Sequence, residues 1–274
     1  MERAAQVLSD NRQFYQACAP QYDAGRQYFY LHEGRRIKAD LEWLSAFIPL
    51  PGAVVMDVGC GTGLYGQHAA LLGVGEVHCL DVDEVFLATA TARILAANPQ
   101  ARVHRHQEDL GAFVAKRADL LSHIDIYLMG SVIQYVPGAA ELLEQLAASP
   151  GRRGFYITSS RLPGGGRHPL VENIMARADY LLHRLVHAGT RGTPRRQEAR
   201  GREKVTLSAD PAGMLEALRE RGFTARYYTY SSFHTALFNR VHQLLRQVFP
   251  SLGSFFTLLA VRGQDAQKEG KKWH

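Results

Sequence analysis

Cysteine is scarce in this chain: Cys18, Cys60 and Cys79 are the three present in 274 residues. They make no Cys-X-X-Cys pair and no other metal-type spacing, which argues against a disulfide framework and fits a reducing compartment. Long apolar runs are missing as well. No stretch reaches bilayer-spanning length, and the opening Met1-Glu2-Arg3-Ala4-Ala5 holds no apolar signal region, so a cytoplasmic location is expected. Charged residues amount to 21% against 46% hydrophobic, a balance that excludes wholesale disorder and leaves ample material for a core. No internal repeat and no separate second domain is visible.

Glycine, in contrast, is plentiful, and three glycines alternate in Asp57-Val58-Gly59-Cys60-Gly61-Thr62-Gly63. The short β-branched run Ala53-Val54-Val55-Met56 before them, led in by Pro51-Gly52, predicts a buried parallel strand. Leu64 to Leu72 behind them is of helix length and is stopped by Gly73. Strand, glycine turn and helix in that order aim main-chain N–H groups at a ligand and let it approach where a Cβ would collide. A plain strand-to-helix corner is the bland reading, and an acid at the strand end weighs against it. Gly61 to Gly66 also satisfies the dinucleotide fingerprint, with Asp81 about 20 residues on. Asp57 favours another ligand, because a carboxylate at the strand tip repels a pyrophosphate but suits a ligand with an ammonium group and no phosphate.

Val55 to Gly63 resembles the first motif of class I S-adenosylmethionine-dependent methyltransferases. The resemblance implies a Rossmann-like, doubly wound α/β fold: a mostly parallel seven-stranded sheet with an antiparallel terminal strand, an N-terminal helical cap and helical insertions. Over one methyltransferase domain, residues 1–40 would form the cap, 41–161 the cofactor-binding core, 162–204 a helical insertion with a basic loop, 205–262 the rest of the core and 263–274 a polar tail. S-adenosyl-L-methionine is the implied cofactor. Asp57, Gly59, Cys60, Gly61 and Gly63 would contact it at the turn. Cys60 there is a small turn residue rather than a nucleophile. Glu76 to Asp81 reads as the second strand, and the family's ribose-binding acid matches Asp81, followed by Val82. Asp83 is instead an N-cap for the helix from Val85 to Ala97, which Asn98-Pro99 stops. After the alternating Arg102 to His106, Asp109 matches the family's adenine-side acid, with Glu108 a competitor and Leu110 the apolar neighbour. Ile124 to Met129 reads as the fourth strand. Gly130 leaves it, and Ser131, Gln134 and Tyr135 match the stretch that lines the methyl-transfer site. In the cap, Tyr22 and Arg36 are the candidate contacts.

Further along, Gly154 to Ser160 reads as a fifth strand, and Gly164 to Gly166 as a linker or hinge. His168 to His187 reads as an amphipathic helix with Leu170, Ile174, Leu181 and Leu185 as its stripe. His183 and His187 on it have the spacing of a metal pair but no third ligand, and no metal is expected in the reaction. Asp210-Pro211 opens another helix, and Phe223 to Tyr230 and Ser254 to Arg262 read as strands. Between these, residues 237–249 make a basic amphipathic helix that packs on the sheet, a partner or a lipid surface. Net charge is +6, and six basic residues between Arg191 and Lys204 face two acids, Glu198 and Glu203. A solvated loop is the simplest reading of that stretch, and a clamp for an anionic substrate the sharper one.

The expected reaction is methyl transfer by direct displacement onto an O or N atom of a small molecule. No general base declares itself. Methylation of RNA or protein is the second reading, and a non-catalytic S-adenosylmethionine-binding scaffold subunit the third. Nucleic acid is not expected as a partner, and a homodimer is compatible with the sequence.

Overall fold

The computed structural model describes residues 6, 9–10, 13–15, 22–23, 27–148, 153–160, 174–175, 177–179, 181–182, 210–230, 236–248 and 255–262. The glycine hinge at 164–166, most of the 168–187 helix including His183 and His187, the basic stretch 191–204 and the tail lie outside them.

Helix α1 (Gln27–Ser45) leads into β1 (Val54–Val58), and α2 (Leu64–Leu71) into β2 (Glu76–Asp81). Then come α3 (Glu84–Ala97), β3 (Arg102–Gln107), α4 (Leu110–Lys116), the short α5 (Ala118–Leu121) and β4 (Ile126–Gly130). A single 3-10 turn (Ile133–Tyr135) precedes α6 (Ala139–Ala148) and β5 (Arg153–Ser160). The last described elements are α7 (Pro211–Glu220), β6 (Thr224–Tyr230), α8 (Ala236–Val248) and β7 (Phe255–Arg262). Asp83 and Asp210 cap α3 and α7 as expected, accepting from Val85 N and Phe86 N and from Ala212 N. β4 starts at Ile126, two residues later than the apolar pattern suggests; Asp125, just before it, donates its N–H to Val54 O at 2.8 Å, accepts from Gly154 N at 2.8 Å and turns its carboxylate onto Val54 N at 2.9 Å.

The strands form one sheet of seven in the order β3-β2-β1-β4-β5-β7-β6. β1 to β5 pair in parallel, and β7 runs antiparallel to both β5 and β6. Alternation along β1 sends Val55 and Asp57 to one face and Met56 and Val58 to the other. The first face packs under α1, α2 and α3 through Ile37, Leu41, Leu44, Ala69, Leu87 and Ile94. The second packs under α4, α6 and α7 through Phe113, Leu143, Leu146, Met214 and Leu218. Each large side chain buried this way contributes on the order of 2 kcal/mol. Connections after β1 run to one side of the sheet, those after β4 to the other. The gap between β1 and β4 at their carboxyl ends is therefore where an open α/β sheet leaves room for a ligand.

Two apolar stripes read from the sequence have described members that face outward. Ile174 and Leu181 are 58% and 59% exposed, while Met175 and Asp179 are buried. On α8, Leu237, Val241 and Leu244 are exposed and His242 is buried.

Candidate functional site

Each glycine of the turn after β1 is left-handed, with φ of +60° at Gly59, +51° at Gly61 and +81° at Gly63. Their reasons differ. A Cβ on Gly63 would stand 2.6 Å from Ala90 Cα, so this glycine lets α2 and α3 touch, whereas a Cβ on Gly61 would meet nothing within 4 Å. Gly61 fronts open space.

Two carboxylates hold the turn. Asp57 reaches forward from β1 to accept from Gly66 N at 2.9 Å. Gly66 is the third residue of α2, whose N-cap, Gly63, offers no side chain, so Asp57 supplies the helix cap from the neighbouring strand. Burial pushes its carboxyl up to about 8, with Gly66 N–H pulling back and the Asp81 charge adding to the rise. Asp81, at the tip of β2, accepts from Gly61 N at 2.9 Å and from Asp83 N at 3.1 Å. Its carboxyl is raised to about 6, first by burial and further by Asp83, against the pull of those N–H donors. It is mostly ionised at neutral pH.

Over this turn lies a cleft of about 450 Å³. Its floor is the carboxyl ends of four strands: Val58 and Gly59, Leu80 to Val82, Glu108 to Leu110, and Gly130 to Val132. Its other wall is aromatic. Tyr15, Tyr22, Phe86 and Tyr135 line it, with ring centroids 5.8 Å apart for Tyr15–Tyr135 and 5.2 Å for Tyr22–Phe86. The N-terminal segment that brings Tyr22 there is tied down beside it: Thr62 Oγ1 donates to Asp23 at 2.9 Å, and Arg93 donates to both Thr62 and Asp23. Among the described lining residues, Asp81, Glu108 and Asp109 are acidic and none is Lys or Arg. The exit of β4 is strained, since Ser131 has φ +56°. Its N–H is fastened to Thr158 O at 2.9 Å and to Thr158 Oγ1 at 3.1 Å.

Of the residues singled out in the sequence, Gly59, Gly61, Asp81, Val82, Asp109, Leu110, Gly130, Tyr22, Ser131 and Tyr135 all line the cleft. Asp109 also caps α4, accepting from Ala112 N at 2.9 Å. Five others do not line it. Asp57 sits beneath the turn as a helix cap, and Gly63 faces α3. Cys60 is buried beside Cys79, and that neighbour together with burial holds its thiol well above the usual range, so it is an inert core thiol. Gln134 is buried, donating to Ser131 O at 3.0 Å and accepting from Ser159 Oγ; it braces the exit of β4 against β5. Arg36 lies under the other face of the sheet. It donates to Glu33, to Tyr156 Oη at 2.8 Å and to Thr257 Oγ1 at 3.0 Å, and its guanidinium lies 4.1 Å from the Tyr230 ring centroid.

The tyrosines between Arg12 and Arg36 could on sequence alone either roof a pocket or pack in a core, and Tyr15 and Tyr22 do line the cleft. Phe86 carries no motif of its own and is placed by Asp83, which caps α3.

The family described as "Methyltransferase domain" matches residues 56–155, the stretch from β1 to β5 that builds the cleft. A ubiquinone biosynthesis O-methyltransferase of Azotobacter vinelandii is 26% identical over 171 residues, 62% of this chain and 68% of that protein. A ribosomal protein L11 methyltransferase of Methylococcus capsulatus is 54% identical over 48 residues, 18% of this chain and 16% of that protein. In fold, the chain is similar to magnesium protoporphyrin IX methyltransferase from Synechocystis with bound SAH, at TM-score 0.53 and 16% identity over 93% of this chain and 100% of that one. Against the two curated relatives, the chain spans 16% and 68% of their length. With the glycine turn, the acid at the tip of β2 and the seven-stranded order all in place, the chain has the Rossmann-like fold of its methyltransferase neighbours, and its residues 56–155 match a methyltransferase domain.

Proposed function

We propose that the protein transfers the methyl group of S-adenosylmethionine to an O or N atom of a small organic molecule, without a metal in the reaction, and does so in the cytoplasm. One observation carries the cofactor: the described lining of the cleft is acidic and apolar and has no cation. Such a wall repels a diphosphate and favours a positively charged nucleoside. The open space at Gly61, where a Cβ would meet nothing, is the cradle that such a ligand needs.

In this reading Asp81 accepts from the ribose diol, Asp109 and Leu110 take the adenine side, Gly59 and Gly61 offer main chain, and Tyr22 covers the cleft. Bound there, the cofactor supplies a methyl group already activated on a sulfonium. What remains for the protein is alignment and the exclusion of water. Tyr135 and Ser131 stand on the wall beside Gly130 and are the side chains offered to the acceptor, Tyr135 through its hydroxyl. Gln134 acts through Ser131, by holding its carbonyl. The aromatic rings of the wall suit a flat or apolar acceptor. The names of two similar proteins, for ubiquinone biosynthesis and for magnesium protoporphyrin IX, support a small molecule.

A second reading, methylation of a protein, is favoured by the short match to a ribosomal protein L11 methyltransferase. That match covers 18% of this chain, so it weighs less.

The test begins with thermal stabilisation by S-adenosylhomocysteine and by NAD at matched concentrations. At a hundredfold excess over Kd, a ligand stabilises by about 2.7 kcal/mol, and S-adenosylhomocysteine alone is expected to act. Stabilisation by NAD alone would overturn the reading. Labelled methyl transfer then distinguishes acceptors: capture by a protein fraction with steep salt dependence supports the second reading. Tyr135→Phe is expected to lower turnover with little change in cofactor affinity; unchanged kinetics would return Tyr135 to the wall.

A further inference from the structure

The edge strand β3 and its neighbour β2, which bring Asp109 and Asp81 to the cleft, carry a second cluster away from those ends. Glu76 and His78 alternate along β2, and His104 on β3 is the register partner of His78, so all three project from one face of the sheet. Glu76 Oε1 lies 3.3 Å from His78 Nε2 and 3.3 Å from His104 Nε2. All three donor atoms fall within 4.8 Å of one another. In a tetrahedral zinc site with bonds of about 2.0–2.1 Å, neighbouring donors stand about 3.3 Å apart. The two carboxylate–imidazole edges already have that length.

The surroundings suit a cation as well. His78 Nδ1 and His106 Nε2 are 3.0 Å apart. With His78 donating there, its Nε2 carries the bare lone pair, and an outer partner that fixes the tautomer is the usual support of a metal-bound histidine. Nε2 is buried and has no hydrogen-bond partner, and the His78 side chain is only 5% exposed. Its approach to Glu76 therefore lacks hydrogen-bond geometry, and a cation between them would reconcile two electron-rich atoms. Arg102 holds Glu76 Oε2, which leaves Oε1 for the site.

We propose that Glu76, His78 and His104 bind a late first-row divalent cation, zinc by preference, with a fourth position left to water. Bound there, the ion pins the edge strand β3 to β2. The rings of His78 and His104 are stacked, 4.4 Å apart and 14° from parallel, so their lone pairs do not yet converge. His104 is the one that turns, being 45% exposed where His78 is enclosed. The site stands apart from the cleft, because along β2 Asp81 lies three residues, about 10 Å, beyond His78 and five, about 17 Å, beyond Glu76.

The test uses the full chain, stripped with a chelator and titrated with Zn²⁺ alone by calorimetry, then with Co²⁺ for its visible spectrum. One ion per chain and the intense visible bands of four-coordinate Co²⁺ are expected. His104→Ala and Glu76→Gln should each weaken Zn²⁺ binding at least tenfold. Both residues keep some exposure, and far-ultraviolet circular dichroism checks that each variant folds. Because the chain has 12 histidines, a double variant His183→Ala/His187→Ala serves as control and should bind as the parent does. Zn²⁺ affinity unchanged in His104→Ala, loss of binding in the control, weak six-coordinate Co²⁺ bands, or no binding at millimolar Zn²⁺ would each overturn the proposal. The last result would leave Glu76 as a bridge between two imidazoles.

Discussion

Gly61 and Gly63 lie two residues apart in one turn, and replacing each by alanine should do opposite things. Both have positive φ, +51° and +81°, so either substitution carries about 1 kcal/mol of backbone strain. Gly63→Ala adds a collision, 2.6 Å from Ala90 Cα and 2.8 Å from Ala90 Cβ. A backbone atom of a packed helix cannot swing aside, so an overpacking cost of about 1–3 kcal/mol follows, for about 2–4 kcal/mol in all. That is a large part of a domain's usual margin of about 5–15 kcal/mol. Gly61→Ala meets no protein atom within 4 Å, so its stability loss stays near about 1 kcal/mol. Its methyl group instead occupies the face that a ligand would lie against, and S-adenosylhomocysteine affinity should fall at least tenfold, about 1.4 kcal/mol. Urea denaturation measures the first effect and calorimetry the second. Equal stability losses would refute the division of labour, and so would a Gly61→Ala protein that binds S-adenosylhomocysteine as the parent does.

Two further outcomes separate the cleft from its supports. Burial raises the Asp81 carboxyl to about 6, and in the role proposed for it the ionised form is the one that accepts from the ribose. Cofactor affinity should thus hold above that pH and fall about tenfold per unit below it. Without ligand the sign reverses: ionising the buried group costs stability, so its contribution declines as pH rises from about 4 to about 6. Calorimetry across that range, with a flat profile expected for Asp81→Asn, checks the assignment. Arg36→Met removes the cation that Glu33 and Asp40 share in the interior. It should cost about 3–5 kcal/mol in denaturation while leaving cofactor affinity of the folded protein intact. A large change in affinity at normal stability would restore Arg36 as a cleft residue.

How far the sequence revealed the site depends on what each residue answers to. Gly59, Gly61 and Asp81 were legible because main-chain geometry at a strand end constrains residue type locally. The same local logic identified Asp83 and Asp210 as caps. Asp57 was legible in place but not in role: its partner, Gly66 N, is set by how α2 folds back over β1, which no spacing rule encodes. Arg36 looked like a cap residue reaching for a ligand, yet its partners Tyr156 and Thr257 lie 120 and 221 residues away. The stripe on the 168–187 segment misled because its helical period was right and its phase was wrong, so that Met175 turns inward instead of Ile174. The cluster at Glu76, His78 and His104 was overlooked for a similar reason. A metal pair on a helix shows as i, i+4, whereas these residues alternate with the period of a strand and meet across a parallel pair.

β7 follows β5 and β6 in the chain yet lies between them in the sheet. Arg153 on β5 pairs with Arg262 on β7, and β6 is hydrogen-bonded to β7 alone. During synthesis, β1 to β4 can assemble as they leave the ribosome, but the β5 edge stays open and β6 stays unpaired until the final segment emerges. Closing that span costs loop entropy that only the completed ladder returns. The nascent protein therefore carries a sticky flank for as long as translation of this last part lasts, and a ribosome stalled short of Phe255 would release a chain prone to aggregate.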